Sequence, residues 1–245
     1  MVLTSLIAAS TWAAAASGAT ASSTGCTNEA DFQAGTVVDY ESRDNMSPVT
    51  SRNKTETLGP EDFAGTQPVA SLHTTFMNNS PMYLTTTFAQ IKDGQLIRYG
   101  DRHGAGASLT TTLYNPPPAT PLDLQPGQTV TVNYKSQTVS SGAKVEFEVT
   151  EKLTYNGRET IKTPLGTFET CHFTNEISTG SISGNEPKRK VMVQNWFPAE
   201  GPYRGQSIKS VSPSGKEGQD RVVEVVKMRY ETRGNQASLS SGTEQ

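Results

Sequence analysis

Apolar and polar residues alternate along most of this chain, and a period of two is the signature of strands with one face buried and one wet. The pattern predicts strands over "TVVDYES" (Thr36 to Ser42), "YLTTTFAQ" (Tyr83 to Gln90), "QLIRYG" (Gln95 to Gly100) and "SLTTTLY" (Ser108 to Tyr114). It recurs in "TVTVNYKS" (Thr129 to Ser136), "KVEFEVTEKLTY" (Lys144 to Tyr155), "TFETCHFT" (Thr167 to Thr174) and "KVMVQNWF" (Lys190 to Phe197). Two more follow, "GQSIKSVS" (Gly205 to Ser212) and "RVVEVVKMRYE" (Arg221 to Glu231). Turn chemistry separates them at Lys92-Asp93-Gly94, Ser141-Gly142, Tyr155-Asn156-Gly157 and Ser214-Gly215. No stretch sustains a period of 3.6, and "PEDFAG" (Pro60 to Gly65) is a helical turn at most. The expected fold is all-β: a large, strongly curved antiparallel sheet or half-barrel.

The strand pattern also repeats in weak form. "VVDYES" (Val37 to Ser42) resembles "TVNYKS" (Thr131 to Ser136), "TETL" (Thr55 to Leu58) matches "TEKL" (Thr150 to Leu153), and "SLHTTF" (Ser71 to Phe76) parallels "TCHFTN" (Thr170 to Asn175). Their shared order suggests two repeated halves, with His73 and His172 in equivalent places. The expected organisation is a first β half over residues 35–114, a Pro-rich connector over 115–128 and a second β half over 129–233. "YNPPPATPLDLQPGQ" (Tyr114 to Gln128) holds three consecutive prolines, which cannot continue a central strand. Residues 234–245 form a low-complexity tail expected to be disordered.

Composition narrows the function classes. The chain has 245 residues, of which 33% are hydrophobic, and its mean hydropathy is -0.51. Apolar residues are too thinly spread for doubly wound parallel strands. A formal charge of -3 leaves no broad basic field, which argues against nucleic acid or an anionic membrane as the main partner.

The first residues, "MVLTSLIAASTWAAAASGATASS", pair a short apolar run with an Ala-rich stretch, as in the later part of a secretory signal peptide cleaved after Ala21. No Lys or Arg precedes Arg43, so the positive leading region is missing and the true start is expected to lie further upstream. Residues 1–21 are therefore read as an export signal and 22–34 as an N-terminal segment. The expected location is periplasmic or outer-envelope. No segment is apolar and long enough to span a bilayer. In an oxidising compartment the two cysteines, Cys26 and Cys171, are candidates for one disulfide closing a very long loop. "SSTGC" (Ser22 to Cys26) is a competing lipoprotein-box reading, weakened by Ser23 where an aliphatic residue is usual. The disulfide is favoured over lipidation.

Candidate chemistry is thin. Cys171 and His172 are neighbours on a predicted strand, so their side chains point to opposite faces and cannot act on one atom. The three histidines, His73, His103 and His172, are isolated, with no HxH, CxxC or HExxH spacing, and no metal or cofactor is expected. "DRHGAG" (Asp101 to Gly106) precedes a strand rather than a helix and reads as a hairpin loop, not a phosphate cradle. "EPKRK" (Glu186 to Lys190) reads as a charged strand edge. Asn53 and Asn78 begin glycosylation sequons, relevant only in a eukaryotic secretory route.

"TPLGTFETCHF" followed by "NWFPAEGPYRGQSIKS" resembles the TapB-like exported proteins of bacteria, on Pro164, Gly166, Thr167, Phe168, Thr170, Cys171, Trp196, Gly201 and Lys209. The resemblance covers roughly Gly127 to Glu231. It implies a lipoprotein-carrier-like (LolA/LolB-type) half-barrel whose concave face holds an apolar ligand, with Trp196, Phe197 and Tyr203 as candidate ligand-face residues. Glu200-Gly201-Pro202 departs from the family's "GVG" hairpin. The reading from sequence is a non-enzymatic exported β-protein binding a lipid or apolar small molecule. The alternatives are an envelope structural module that docks on an envelope protein and, third, a hydrolase.

Overall fold

The computed structural model describes residues 21–77, 79–104, 109–181, 188–215 and 218–232. The expected signal (apart from Ala21) and the tail from residue 234 lie outside these residues, as do Asn78 and part of "DRHGAG" and of "EPKRK".

The strands are β1 (Val37–Asp44), β2 (Thr50–Pro60), β3 (Val69–Met77), β4 (Ser80–Lys92), β5 (Gln95–His103), β6 (Thr110–Asn115) and β7 (Ala119–Pro121). They continue as β8 (Thr129–Ser140), β9 (Ala143–Thr163), β10 (Gly166–Ser181), β11 (Arg189–Pro198), β12 (Lys209–Pro213) and β13 (Asp220–Glu231). Each pairs antiparallel with its successor, except that β6 passes over β7 to pair with β8. The sheet goes one step beyond a half-barrel. Val37 of β1 pairs with Glu231 of β13, so the ladder closes into a twelve-stranded up-and-down barrel with β7 as an added strand. Closure satisfies both edges that an open sheet would leave unpaired.

Local sequence explains the joints. Asp93-Gly94 and Ser141-Gly142 both have positive φ at the two central positions, the conformation of tight two-residue hairpins. "YNG" behaves differently from the expected turn: β9 runs straight through it. Tyr155 pairs with Phe173 and Gly157 with His172, leaving Asn156 as the extra residue of a bulge. Gly157, at φ 119°, lets the strand bend without breaking. Pro60 to Gly65 makes a tight connection bridged by Phe63 and Thr66 rather than a helical turn. β2 and β3 show in the sequence only through the repeat, because most of their inward positions carry Thr, Ser and His rather than aliphatic residues.

The triple proline bends the chain out of the ladder without ending it. β6 pairs with the distal half of β5 and β7 with its proximal half, while Arg98 N–H donates to Pro118 O at 3.0 Å across the gap. The next residues turn inward and bury Leu124.

Alternation sets the wall. Along β8, Thr129, Thr131, Asn133 and Lys135 are exposed, and Val130, Val132 and Tyr134 between them are half-buried. The apolar core is divided into three clusters, around Cys26, Leu124, Tyr155 and Cys171, around Val38, Ile208, Val225 and Met228, and around Phe63, Ala70 and Phe88. A barrel this wide is not filled by its own wall residues alone. The N-terminal segment enters one end and supplies part of the filling.

His73 and His172 do not meet. They lie on β3 and β10, which are not neighbours in the sheet, and His73 pairs with Thr55 while His172 pairs with Gly157.

A two-chambered barrel interior

The N-terminal segment is tied in place by a dense set of bonds. Ser23 Oγ donates to Leu122 O and accepts from Leu124 N–H, both at 2.8 Å. Thr57 Oγ1 donates to Asp31 O at 2.7 Å, and Tyr155 O–H donates to Ala21 O at 3.0 Å. Cys26 is disulfide-bonded to Cys171 on β10, as the cysteine count suggested.

Asp31 is the segment's polar anchor. Its carboxylate accepts from Tyr230 O–H at 2.8 Å and from Gln206 Nε2–H at 2.8 Å. Burial outweighs these bonds and lifts its pKa to about 6, since desolvation disfavours the charged form. The same burial, together with the neighbouring Asp31 charge, drives Tyr230 upward. Gly205, at φ 80°, lies so close that a Cβ there would sit 2.8 Å from Asn28 N.

Around this anchor the interior forms two pockets that share Asp31, Phe32, Leu96 and Gly205. The first, about 420 Å³, is mixed: Thr55, Thr57, Ser71, His73, Thr87, Arg98, Asp101 and Tyr114 share its walls with Val38, Val69, Phe88 and Ala89. His73 sits between Thr55 Oγ1 at 2.9 Å and Thr87 Oγ1 at 3.0 Å, and burial holds its pKa below the usual histidine value. Tyr114 O–H donates to Asp101 Oδ2 at 2.9 Å, and burial raises the phenol's pKa. His103 Nε2 lies 2.5 Å from the other Asp101 oxygen. Deeper in the wall, Arg98 pairs with Glu151, which also accepts from Asn175 Nδ2–H at 2.9 Å. Tyr134 beside them is pushed up to about 12, mainly by burial.

The second pocket, about 330 Å³, is lined by the apolar side chains Phe32, Leu96, Leu122, Leu153, Phe173 and Phe197. Asn175 and Asn195, with Ser23, Thr27, Asp31 and Thr120, are its polar points. Asn175 Oδ1 is buried and accepts no hydrogen bond within the protein. Both volumes fall in the range of small-molecule sites, which are mostly apolar with a few placed polar groups.

The candidate ligand-face residues separate. Phe197 lines the apolar pocket and packs edge-on against Phe173, with ring centroids 5.8 Å apart. Trp196, its chain neighbour, points to the other face of the sheet. There it stacks on His172 at 4.3 Å and donates Nε1–H to Glu159 Oε1 at 2.6 Å. His172 Nδ1 lies 3.0 Å from the same oxygen. Tyr203 packs near Phe168 and donates its hydroxyl to Met228 O at 3.2 Å. Cys171 and His172 therefore do face opposite ways, one into the disulfide and the other onto Trp196. Sequence reasoning missed Phe32, Leu96, Leu122 and Leu153. Period-two alternation marked Leu96 and Leu153 as strand residues, but only the closed ladder makes them share a pocket.

Among the described residues no group of three or more His, Cys, Asp and Glu side chains could hold a metal ion. No helix among them is long and apolar enough to cross a membrane.

No protein-family model matches the chain, and no curated protein matches it either. Solved structures do. A Parabacteroides distasonis protein, provisionally described as a lipoprotein, is 14% identical, with a TM-score of 0.50 over 83% of this chain and 99% of that one. A Bacteroides fragilis protein with a YmcC-like fold, provisionally described as exported, is 12% identical, with a TM-score of 0.48 over 80% of this chain and 96% of that one. The hypothetical lipoprotein YmcC of Escherichia coli is 8% identical, with a TM-score of 0.34 over 81% and 86%. At such identity the first of these likenesses speaks for the fold alone: a barrel shared with a protein described as a lipoprotein.

Proposed function

We propose that this is a non-enzymatic exported protein that holds an amphiphilic small molecule, a lipid or similar compound, inside its barrel. The observation that carries the reading is the second pocket. Six half-buried apolar side chains face a space of about 330 Å³, and half-exposed Phe and Leu inside a closed barrel gain about 25 cal/mol for each Å² that an apolar ligand covers. The adjoining pocket, with His73, Thr55 and Thr87 among its wall residues, offers hydroxyl and imidazole partners for a head group. Asn175 Oδ1 offers a buried acceptor for a ligand hydroxyl or amide.

The TapB-like resemblance and the lipoprotein described for P. distasonis point the same way, towards an exported or envelope protein. Docking through a sheet edge is less favoured, because β13–β1 pairing closes the ladder. A hydrolase would need a nucleophile and base aimed at one point, and the candidate histidines are engaged with Thr, Asp, Glu and Trp neighbours.

Native mass spectrometry of the protein purified without detergent tests the reading. A bound species lost on organic extraction supports it. Unliganded protein that also fails to take up added fatty acid or phospholipid contradicts it.

A further inference from the structure

In an up-and-down barrel, alternate hairpins lie at opposite ends. The N-terminal segment, the proline connector and the β9–β10 turn occupy one end. The other end is formed by the C-terminal ends of β1, β3, β5, β8, β10 and β12 and the N-terminal ends of β2, β4, β6, β9, β11 and β13. Exposed apolar side chains are distributed very unevenly between the two. Of thirteen exposed large hydrophobic residues among those described, twelve belong to the second end, and only Leu58 does not.

They are spread around the mouth rather than gathered on one flank. Met46 and Val49 stand at the β1–β2 end, and Met77 and Met82, 55% and 57% exposed, stand at the β3–β4 end. Across the barrel, Val145 and Phe147 stand at the β8–β9 end, with Val191 and Met192 at the start of β11. Consecutive residues such as Met82 and Leu84 with Tyr83 between them, or Val191 with Met192, are exposed on both faces of their strands. These hairpins therefore stand clear of the barrel wall.

Cations accompany them. Lys188, Arg189 and Lys190 run directly into Val191, Lys144 precedes Val145, and Arg43 lies just ahead of the β1–β2 turn; all five are exposed. Glu146 pairs with Lys144, Glu176 with Lys190 and Asp44 with Arg221 at this same end, which leaves Arg43, Lys188 and Arg189 as the rim cations that no carboxylate pairs with among the described residues. A ring of separate apolar tips cannot be covered at once by a convex protein surface, but a plane touches all of them. Apolar tips with flanking Lys and Arg match a lipid surface with anionic head groups, where the tips enter the acyl boundary and the cations stay at the phosphates. The polar outward face of β8 argues against the wall itself being immersed.

We infer that this end of the barrel is a membrane-contacting rim that seats the protein, mouth down, on an anionic lipid surface. This goes beyond the ligand reading and does not depend on it.

Vesicle flotation tests the inference with the full chain, using phosphatidylcholine vesicles with and without phosphatidylglycerol. Wild-type protein is expected to float with the phosphatidylglycerol vesicles, less so in high salt. The combined variant Met46→Ser, Met82→Ser, Phe147→Ser and Val191→Ser changes only exposed positions and is expected to weaken binding by tenfold or more. Lys188→Gln, Arg189→Gln and Lys190→Gln together are expected to remove most of the preference for anionic vesicles. Wild-type protein that stays below both vesicle types overturns the inference. So does equal binding by wild type and the apolar variant, or a rim-dependent dimer in light scattering without vesicle binding.

Discussion

Cys26 and Cys171 are 145 residues apart in the chain, yet their Cα atoms lie 5.8 Å apart and their sulfurs are bonded. The bond pins the N-terminal segment to β10 beside Phe173 and Phe197. It thus fixes one wall of the apolar pocket to the barrel and closes a loop that contains the first nine strands.

Removing that link has a defined cost. Replacing both cysteines by serine should lower stability by about 2–5 kcal/mol, read as a shift of the denaturant midpoint. Early proteolysis within residues 22–34 should accompany the loss, because the segment would then be held only by hydrogen bonds. Unchanged stability and an uncut segment would show that the disulfide is incidental.

Asp31 makes the segment's docking pH-dependent. Its pKa is raised from 3.8 to about 6 on folding, so between these values the folded protein binds more protons than the unfolded one. Stability contributed by this group is full at low pH and falls as pH rises through about 6, by up to roughly 3 kcal/mol. His73, held below its ordinary pKa by burial, works in the opposite direction: its contribution is lost as pH falls below about 6.5. Asp31→Asn should flatten the decline between pH 4 and 7 in urea titrations, leaving the histidine's acid-side loss visible. An unchanged profile would mean that Asp31 ionises freely in the folded protein.

Backbone space separates two glycines. At Gly100, φ is 147° and a Cβ would lie 2.0 Å from Thr112 O and 3.0 Å from Phe63, so Gly100→Ala forces β5 and β6 apart. A loss of about 3 kcal/mol or more is expected. Gly94, at φ 71° in the β4–β5 turn, has open space around its Cβ position. Gly94→Ala should cost only about 1 kcal/mol, from the left-handed conformation alone. Thermal denaturation of the two variants gives the comparison directly.

Arg98 and Glu151 form an ion pair in the wall, with the Glu side chain 6% exposed. Glu151→Gln leaves Arg98 without its counter-charge and should cost about 2–4 kcal/mol. Arg98→Met with Glu151→Leu should cost less than Glu151→Gln alone. The reverse order in chemical denaturation would mean that the pair contributes net stability rather than solving a burial problem.

Much of the architecture was legible because alternation is a local property. "TVTVNYKS" shows its two faces on paper, and the turns at Asp93-Gly94 and Ser141-Gly142 follow from residues that tolerate positive φ. Cys171 was separable from His172 for the same reason. Asn156-Gly157 misled because the same dipeptide suits either a hairpin turn or a bulge, and the choice was made by pairing with β10, sixteen residues on. Closure of the sheet could not be read, since Val37 meets Glu231 through a contact that no local pattern encodes. The pocket shared this fate: Phe32, Leu96, Leu153 and Phe197 come from four distant segments. Charge behaved similarly. A net value of -3 hid that Arg43 and Lys144 come to the same end as the Lys188–Lys190 run, which only strand order reveals.

The central claim is that the interior of the barrel holds an amphiphile, and the most direct test is titration of delipidated protein with a fluorescent fatty acid such as cis-parinaric acid. Wild-type protein should give saturable binding near one site per chain. Leu153→Trp, which places a large ring in the apolar pocket, should abolish that binding while leaving the circular dichroism spectrum unchanged. Absence of saturable binding by wild-type protein, or undiminished binding by a folded Leu153→Trp variant, would contradict the account.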